Sequence, residues 1–254
     1  MEPTERFSSR AAYYALYRPG YPEEVVDTLE SEAGLSPGAT VADIGSGTGI
    51  SSELFLRRGY AVIGVEPNAS MRAEAARRLG GNPAYWSLSG RAEATGLPAA
   101  SINLVLCAQS FHWFRPAEAR SEFLRILKPQ GLVAVLWNLR RTEGSEFNQR
   151  IESLLLRYCP NYANQVRGDT EKAILAIHDL FGTAAVRKRT FRYAQSLDLE
   201  GLKGRLLSAS YVPLPGDPNH EPLIRELEQI FTDCNAEGRV TMEYDTVLYW
   251  ARPL

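Results

Sequence analysis

Three glycines at alternate positions end the stretch Val41-Ala42-Asp43-Ile44-Gly45-Ser46-Gly47-Thr48-Gly49, which decides the fold of this chain. The residues before Gly45 are mainly apolar and predict a short buried strand, and residues 50–58 predict a helix that stops at Gly59. Glycine lets the backbone adopt a positive φ and pass close to a ligand, because it has no Cβ atom. The stretch therefore predicts a strand, a tight turn that wraps a small molecule with backbone, and a helix.

The glycine spacing differs from that of nucleotide-binding turns. The dinucleotide fingerprint is G-x-G-x-x-G, and its last position falls on Ile50 or Ser52, depending on whether the count starts at Gly45 or Gly47. Asp43 would repel a pyrophosphate at the turn and suits a ligand that carries an ammonium or a sulfonium group. S-adenosylmethionine carries both, so the stretch favours this cofactor. A nucleotide-dependent oxidoreductase is the alternative.

A second acid ends the next predicted strand. Residues 61–65 are apolar, as in a parallel strand buried on both faces, and Glu66 follows them. A carboxylate at a strand tip can accept hydrogen bonds from both hydroxyls of a ribose, each contributing about 1.5 to 3 kcal/mol. Alternatively, Glu66 is only an acid at a helix start, because Pro67 and the N-cap Asn68 open the predicted helix 69–79. We expect the ribose role.

Together these motifs resemble those of the class I S-adenosylmethionine-dependent methyltransferases, in the small-molecule branch that includes the trans-aconitate methyltransferase-like (type 11) enzymes. The resemblance covers residues 6–138 and rests on DIGSGTG at 43–49, VIGVEP at 62–67, GRAEATGLP at 90–98, the strand and loop 102–114, and LKPQG at 127–131. It implies that Ala92 and Glu93 recognise the adenine and that Gln109 lies over the methionine end of the cofactor.

The chain departs from the family pattern at three positions. Asn103 replaces a usual aspartate, Arg91 stands where an acid is frequent, and Gln130 stands in a turn that usually has glycine. The first two positions bear on the adenine contacts, which therefore rest on weaker grounds than the ribose contact.

Strands and helices alternate in the order typical of an α/β fold with a parallel sheet. Predicted strands cover residues 40–44, 61–65, 84–88, 102–107, 131–137, 184–193 and 240–250. One predicted helix begins at Pro22. The others cover residues 50–58, 69–79, 117–127, 146–158, 171–181, 198–209 and 219–236. The resemblance implies a Rossmann-like, doubly wound seven-stranded sheet that is mostly parallel and carries a helical cap. Its last strand is antiparallel and lies between the fifth and the sixth.

Length and composition predict a single domain with a cap. A chain of 254 residues with 44% hydrophobic content can bury one full core. We divide it into an N-terminal lid and helix (1–36), a cofactor-binding core (37–138), a cap insertion with the sixth strand (139–239) and the last strand (240–254). The net charge of −2 and the pI near 6.0 give no basic footprint for nucleic acid. A small-molecule acceptor fits better.

Cysteine and histidine spacing predicts no metal site. Cys107, Cys159 and Cys234 are widely separated, and the three histidines lie far apart. The sequence shows neither a signal peptide nor an apolar run long enough to span a bilayer, so we expect a cytoplasmic location. The oligomeric state is left open by the sequence.

The loop after the fourth strand is the candidate for chemistry. Right-handed crossovers place the carboxyl ends of the parallel strands at one ligand-binding edge, so Asp43, Glu66, Gly90 and Cys107 mark one rim. Residues 108–114 (AQSFHWF) add three aromatic side chains and His112. With an ordinary pKa of about 6.5, a histidine here is a candidate general base. The alternatives are a loop brace for His112 and simple packing for each aromatic side chain.

The N-terminal segment predicts a lid. Residues 13–22 (YYALYRPGYP) hold four tyrosines and an arginine, and the same R-P-x-Y-P pattern occurs in the resembled family, where the preceding segment folds over the cofactor and acceptor. Tyr14 and Arg18 are the expected contacts. Arg18 would bind a carboxylate of the cofactor or of an acidic acceptor, or else would be a surface arginine beside a proline kink.

The complete set of predicted cofactor contacts is Tyr14, Arg18, Asp43, Gly45, Ser46, Gly47, Gly49, Glu66, Pro67, Met71, Ala92, Glu93 and Gln109. The inserted region supplies the acceptor contacts Arg205, Ser208, Ser210 and Tyr211, while His178 and His220 are assigned to helix faces. The implied reaction is an in-line displacement, in which an acceptor oxygen, nitrogen or carbon attacks the sulfonium methyl and S-adenosylhomocysteine leaves. A non-catalytic regulator that binds S-adenosylmethionine is a third possibility.

Overall fold

The computed structural model of the chain describes residues 11–163, 176–177, 179–182 and 184–253. Its helices are α1 (Ala11–Tyr17), α2 (Glu24–Ala33), α3 (Ile50–Arg57), α4 (Ala69–Leu79), α5 (Pro116–Ile126), α6 (Glu146–Tyr158), α7 (Leu199–Leu207) and α8 (His220–Cys234). Its strands are β1 (Thr40–Ile44), β2 (Ala61–Val65), β3 (Tyr85–Leu88), β4 (Ile102–Ala108), β5 (Leu127–Arg140), β6 (Arg187–Leu197) and β7 (Val240–Ala251).

The strands form one seven-stranded sheet in the order β3-β2-β1-β4-β5-β7-β6. The first five pair in parallel, and β7 runs antiparallel to both β5 and β6. The predicted fold class is confirmed, including the insertion of the last strand between the fifth and the sixth. Because the first five strands point the same way, their carboxyl ends share one edge of the sheet.

Side chains of β1 alternate between two apolar cores. Val41 packs into a cluster with residues of α2, α3 and α4, such as Leu29 and Phe55. Its neighbour Ala42 packs into a second cluster with Phe123 of α5 and other residues. This period-two alternation is what a parallel strand covered on both faces requires, and it fixes the position of the glycine turn that follows β1.

The helices after β5 form a third core against the first half of β7. Its buried residues include Ile151 of α6, Leu206 of α7, Leu227 of α8 and Tyr244 of β7. The N-cap Asp198 of α7 accepts a hydrogen bond from the backbone N–H of Gly201 at 2.7 Å. This cluster holds α7 beside the carboxyl end of β5.

Several predicted boundaries shift in the structure. β6 covers Arg187–Leu197 and not 184–193, because it pairs with β7 along its whole length, from Arg187 opposite Trp250 to Leu197 opposite Val240. β5 extends to residue 140, three residues further than predicted, because its end also pairs with β7. The predicted helix 171–181 lies largely outside the described residues. Within the described part of the chain, no helix has the length and apolar composition to cross a membrane.

Helix α1 packs closely on α7. A Cβ atom on Gly204 would lie 2.2 Å from the Cδ2 atom of Tyr17, so only glycine permits this approach. The Gln195 side chain adds a hydrogen bond to the carbonyl of Tyr17, at 2.9 Å. The N-terminal helix is thereby held against the cap.

Candidate functional site

A cavity of about 770 Å³ lies at the carboxyl edge of the parallel strands, and the ends of β1, β2, β4 and β5 line it together with α1 and α7. Its volume is within the range of about 300 to 1,000 Å³ that is typical of small-molecule sites. The predicted residues that line it are Tyr14, Arg18, Gly45, Ser46, Gly47, Glu66, Pro67, Met71, Ala92, Glu93, Gln109, His112, Arg205, Ser210 and Tyr211. Asp43, Gly49 and Ser208 do not line the cavity.

The glycine turn forms one wall of this cavity. Gly45 has a φ of +68°, and its N–H donates to the carbonyl of Val65 at 2.8 Å. A Cβ atom on Gly45 would lie 2.6 Å from the Cβ of Ser110, so the turn passes directly against the loop after β4. Gly49 is the N-cap residue of α3 and does not line the cavity, and a Cβ atom on it would lie 2.5 Å from the Cδ1 of Leu79. The strand, turn and helix predicted from the sequence are all present.

Asp43 does not line the cavity itself but is hydrogen-bonded to Ser51, which does. It is fully buried, and its Oδ2 accepts hydrogen bonds from the hydroxyls of Ser51 and Ser52, both at 2.7 Å. Its Oδ1 is buried without a hydrogen-bond partner among the described residues. Burial raises the pKa of Asp43 to about 6, although the two serines oppose this and the charge of Glu66 reinforces it. Ser51 itself lines the cavity.

Glu66 links the turn to the start of α4. Its Oε2 accepts the N–H of Gly47 at 3.0 Å, and its Oε1 accepts the N–H of Asn68 at 2.8 Å. Burial raises the pKa of Glu66, against the effect of these two N–H groups and of Arg72. Asn68 is the N-cap of α4, as predicted, and accepts the N–H of Met71. Each oxygen of Glu66 keeps a second lone pair, so the carboxylate can also accept hydroxyl groups of a ligand.

The loop 90–98 closes the end of the cavity where adenine is expected. Ala92 is 3% exposed, and Oε1 of Glu93 accepts the N–H of Arg115 at 2.8 Å. Glu122, which the sequence did not mark, accepts the N–H of Thr95 at 2.9 Å. Hydrogen bonds from Arg125 and Thr95 lower the pKa of Glu122 to about 2 against the cost of burial. Glu122 therefore holds the loop in place as a carboxylate.

Gln109 adopts an unusual backbone conformation at the rim. Its φ is +55°, which is uncommon for a residue with a side chain. Its N–H donates to the carbonyl of Leu136 at 2.9 Å, and its Nε2 donates to the carbonyl of Asn138 at 3.1 Å. β5 therefore holds Gln109 in this conformation. Such conformations cluster at ligand sites.

The aromatic loop divides between core and cavity. Phe111 is 1% exposed and packs edge-on against Phe114 and Trp137, at ring distances of 5.9 and 6.3 Å. His112 and Trp113 line the cavity, and their ring centroids are 4.6 Å apart. The loop forms a short 3-10 helix at Phe111–Trp113, which directs the histidine to the cavity wall. Packing thus accounts for Phe111.

Two arginines form the opposite wall. The Nη2 of Arg18 donates to the carbonyl of Ser208 at 3.1 Å, and its guanidinium carbon lies 4.7 Å from the ring centre of Tyr14. The Nε of Arg205 donates to the hydroxyl of Tyr244 at 2.9 Å. Ser208 is fully buried and does not line the cavity, and its carbonyl accepts the hydrogen bond from Arg18.

The two other histidines lie elsewhere. His220 begins α8, and its Nδ1 is 2.9 Å from the carbonyl oxygen of Pro213, outside the cavity. His178 lies outside the described residues.

The cavity residues that the sequence analysis missed include Arg140, Glu152 and Tyr162. Arg140 pairs with Glu152, and its Nη2 also contacts the hydroxyl of Tyr162 at 2.7 Å. The Tyr162 hydroxyl in turn donates to Glu152 at 2.6 Å. Arg140 could have been found from the rule that ligands bind at the carboxyl ends of parallel strands, because it ends β5 at the same edge as Glu66 and Gln109. The predicted strand stopped at residue 137, so Arg140 was not counted among the residues at this edge.

Comparison with known proteins shows which proteins this chain resembles. Residues 42–135 match the family model described as a methyltransferase domain. An uncharacterised methyltransferase of Schizosaccharomyces pombe is 25% identical over 228 residues, which cover 88% of this chain and 86% of the relative. An uncharacterised methyltransferase of Mycobacterium tuberculosis is 36% identical over 134 residues, so the chain spans about half the length (52%) of that relative.

A solved structure shows the same fold. It is that of a proposed type II methyltransferase from Anaeromyxobacter dehalogenans, with a TM-score of 0.69 and 21% sequence identity. The alignment covers 94% of this chain and 99% of that one. Residues 42–135 thus carry a methyltransferase domain, and the sheet order and glycine turn are those of the class I S-adenosylmethionine-dependent methyltransferase fold.

Proposed function

We propose that this enzyme transfers a methyl group from S-adenosylmethionine to an oxygen, nitrogen or carbon atom of a small-molecule acceptor, with carboxylate and hydroxyl groups favoured. The observation that carries this proposal is that one cavity of about 770 Å³ is lined both by the glycine turn and by the cap. Gly47 and Glu66 line one part of it, and Arg205 and Tyr211 of the cap line another. One cavity of this volume can therefore hold two small reactants side by side.

The residues at the turn fit the cofactor. The partnerless Oδ1 of Asp43 is a buried acceptor beside the turn and suits an ammonium group. The remaining lone pairs of Glu66 suit the ribose hydroxyls, and Ala92 and Glu93 stand at the adenine end. Tyr14, Arg18, Ser46, Pro67, Met71 and Gln109 complete the proposed contacts, and Gly45 and Gly49 shape the turn. When bound, S-adenosylmethionine supplies an electrophilic methyl group on its sulfonium sulfur.

The chain's own contribution is positioning and the removal of a proton. Tyr14, Trp113 and Tyr211 line the cavity, and holding two reactants in line contributes about 7 to 11 kcal/mol. His112 is the proposed general base for an acceptor that must lose a proton. A carboxylate acceptor loses none, so His112 would then serve only to brace the loop. The position of His112 in the cavity wall supports the base role.

The other function classes are less well supported. A nucleotide-dependent oxidoreductase would place a pyrophosphate beside the buried carboxylate of Asp43. A non-catalytic regulator would not need the aromatic walls on the cap side. The net charge of −2 and the lack of an Asn-Pro-Pro-Tyr motif after β4 favour a small acceptor over nucleic acid. Three free cysteines, two of them buried, support a cytoplasmic location.

Isothermal titration tests the proposal directly. S-adenosylmethionine and S-adenosylhomocysteine should bind, and NADH should not. A screen of carboxylic acids, phenols and amines, with release of S-adenosylhomocysteine as the readout, then identifies the acceptor. Binding of NADH without heat from S-adenosylhomocysteine would contradict the proposal. Tight cofactor binding with no turnover on any acceptor would favour the regulator.

A further inference from the structure

Arg18 and Arg205 place two guanidinium groups around one short backbone segment. Arg18 donates to the carbonyl of Ser208, and the Ser208 hydroxyl donates to the carbonyl of Arg205 at 2.7 Å. Both arginines line the cavity, and Arg205 is only 8% exposed. Burial lowers the pKa of Arg18, and the nearby charge of Arg205 lowers it further. The two cations are therefore close enough to repel each other.

Neither arginine has a carboxylate partner in the part of the chain that the structure describes. The Nε of Arg18 is buried without a hydrogen bond to any described residue, and Arg205 uses only its Nε, toward Tyr244. Glu152 is the acid of this part of the cavity, but Arg140 and Tyr162 already occupy it. The two positive charges are left uncompensated by these residues.

Aromatic contacts do not remove this imbalance. Arg18 lies over Tyr14, and Arg205 lies 5.7 Å from the ring centre of Tyr244. Such contacts are worth about 0.5 to 2 kcal/mol each, whereas burying a charge costs several kcal/mol per ion. An anionic ligand would supply the difference, because a guanidinium binds a carboxylate through two parallel hydrogen bonds.

The cofactor accounts for only one of the two charges. It carries one carboxylate, and Arg18, which lines the cavity, is the proposed partner of that carboxylate. Arg205 lies on the cap, beside Tyr211 and Tyr244. Resting on the proposed function, we propose that Arg205 binds a carboxylate of the acceptor and so makes this enzyme specific for acceptors that carry one.

This carboxylate anchors the acceptor and is not the methylated group. A carboxylate paired with a guanidinium is less basic and therefore a poorer nucleophile. Arg205 is a single guanidinium without a carboxylate partner among the described residues, so one carboxylate of the acceptor is enough to pair it. The methyl-accepting atom then belongs to a different group of the same acceptor molecule. That group would lie beside His112 and Trp113, which line the cavity.

The test measures ligand binding to the enzyme saturated with S-adenosylhomocysteine, by calorimetry and thermal shift. The probes are benzoate, 4-hydroxybenzoate and hexanoate, their primary amides, and inorganic phosphate. The acids should bind at millimolar concentration, and the amides should bind at least about tenfold more weakly, as expected for the loss of one charge-assisted pair. Arg205→Gln should abolish this preference, and Arg205→Lys should retain part of it.

Arg77→Gln is the matched control, because Arg77 is exposed on α4 and does not line the cavity. It should bind every probe like the wild type. Equal binding of acids and amides, preference for phosphate, no binding of any acid, or binding of acids only without S-adenosylhomocysteine would each overturn the inference. If Arg205→Gln does not fold, the comparison of acids with amides on the wild type still decides. Failure of S-adenosylhomocysteine itself to bind would instead contradict the proposed function.

Discussion

The backbone N–H of Gly47 donates to Oε2 of Glu66 at 3.0 Å, and this hydrogen bond joins the turn after β1 to the tip of β2. The contact depends on the parallel pairing of the two strands, in which Ile44 lies opposite Val65. Both residues line the cavity. The glycine turn and the proposed ribose acceptor therefore form one unit, and a change in either should affect cofactor binding.

Glu66→Ala should weaken the binding of S-adenosylhomocysteine by about 1.5 to 3 kcal/mol for each charge-assisted hydrogen bond that is lost. Calorimetry measures this loss, and thermal unfolding shows whether the variant remains folded. Glu74→Ala is the control, because Glu74 pairs with Arg77 on α4 outside the cavity. If Glu66→Ala unfolds easily yet binds normally at low temperature, Glu66 has only a structural role.

Asp43 should make cofactor binding depend on pH. Its pKa of about 6 means that the free protein holds this carboxyl protonated below pH 6, whereas an ammonium partner requires the ionised form. The affinity for S-adenosylhomocysteine should therefore fall as the pH drops below about 6, by up to about tenfold per unit. The buried Glu66 adds to the fall at lower pH. Titrations in a series of buffers measure it.

Asp43→Asn provides the check on this assignment. The pKa of Asp43 is raised on folding, so its contribution to stability is present at low pH and is lost as the pH rises through about 6. The shift of about 2 units corresponds to roughly 3 kcal/mol. The variant should lack this decline in unfolding free energy and should bind S-adenosylhomocysteine weakly at every pH. Unchanged binding would remove Asp43 from the cofactor site.

His112→Ala and His112→Gln should lower kcat by about a hundredfold or more on an acceptor that must lose a proton, with little change in cofactor affinity. The wild-type rate should then fall as the pH drops through the pKa of the histidine. On an acceptor methylated at a carboxylate, this dependence should be absent. A variant with the wild-type kcat on the best acceptor would show that His112 only braces the loop.

Gly204→Ala should displace α1 from α7, because the added Cβ atom would overlap the ring of Tyr17. Overpacking of this kind costs about 1 to 3 kcal/mol of stability. Because α1 carries Tyr14 and leads to Arg18, the affinity for S-adenosylhomocysteine should fall as well. Gly81→Ala is the control, since nothing lies within 4 Å of the position of its Cβ. Normal cofactor binding by a destabilised Gly204→Ala would separate the lid from the cofactor site.

Local sequence patterns were enough to locate the sheet and its rim. The apolar runs of β1 and β2 end at the turn and at Glu66, because a strand buried on both faces must be apolar until it leaves the sheet. The family resemblance also bears on Gln130, which has a φ of +66° where glycine is usual. The substituted turn keeps the conformation that glycine would adopt.

The contacts made across the cap could not be predicted in this way. The interaction of Arg205 with Tyr244 and that of Arg140 with Glu152 and Tyr162 join elements far apart in sequence. Their geometry depends on how α6 and α7 pack against β7, and no short motif encodes it. The division of the chain into lid, core, cap and last strand stays a prediction.

The hydrogen bond from Arg18 to the carbonyl of Ser208 connects the two reactant sites that we propose. It ties the proposed cofactor side of the cavity to the segment after α7, which bears the proposed acceptor side. If the cofactor's carboxylate pairs with Arg18, the hydrogen bond from Arg18 to the Ser208 carbonyl changes. Because Ser208 is also hydrogen-bonded to the carbonyl of Arg205, the position of Arg205 should change with it. We therefore expect ordered kinetics, in which the cofactor binds first and completes the surface that the acceptor recognises.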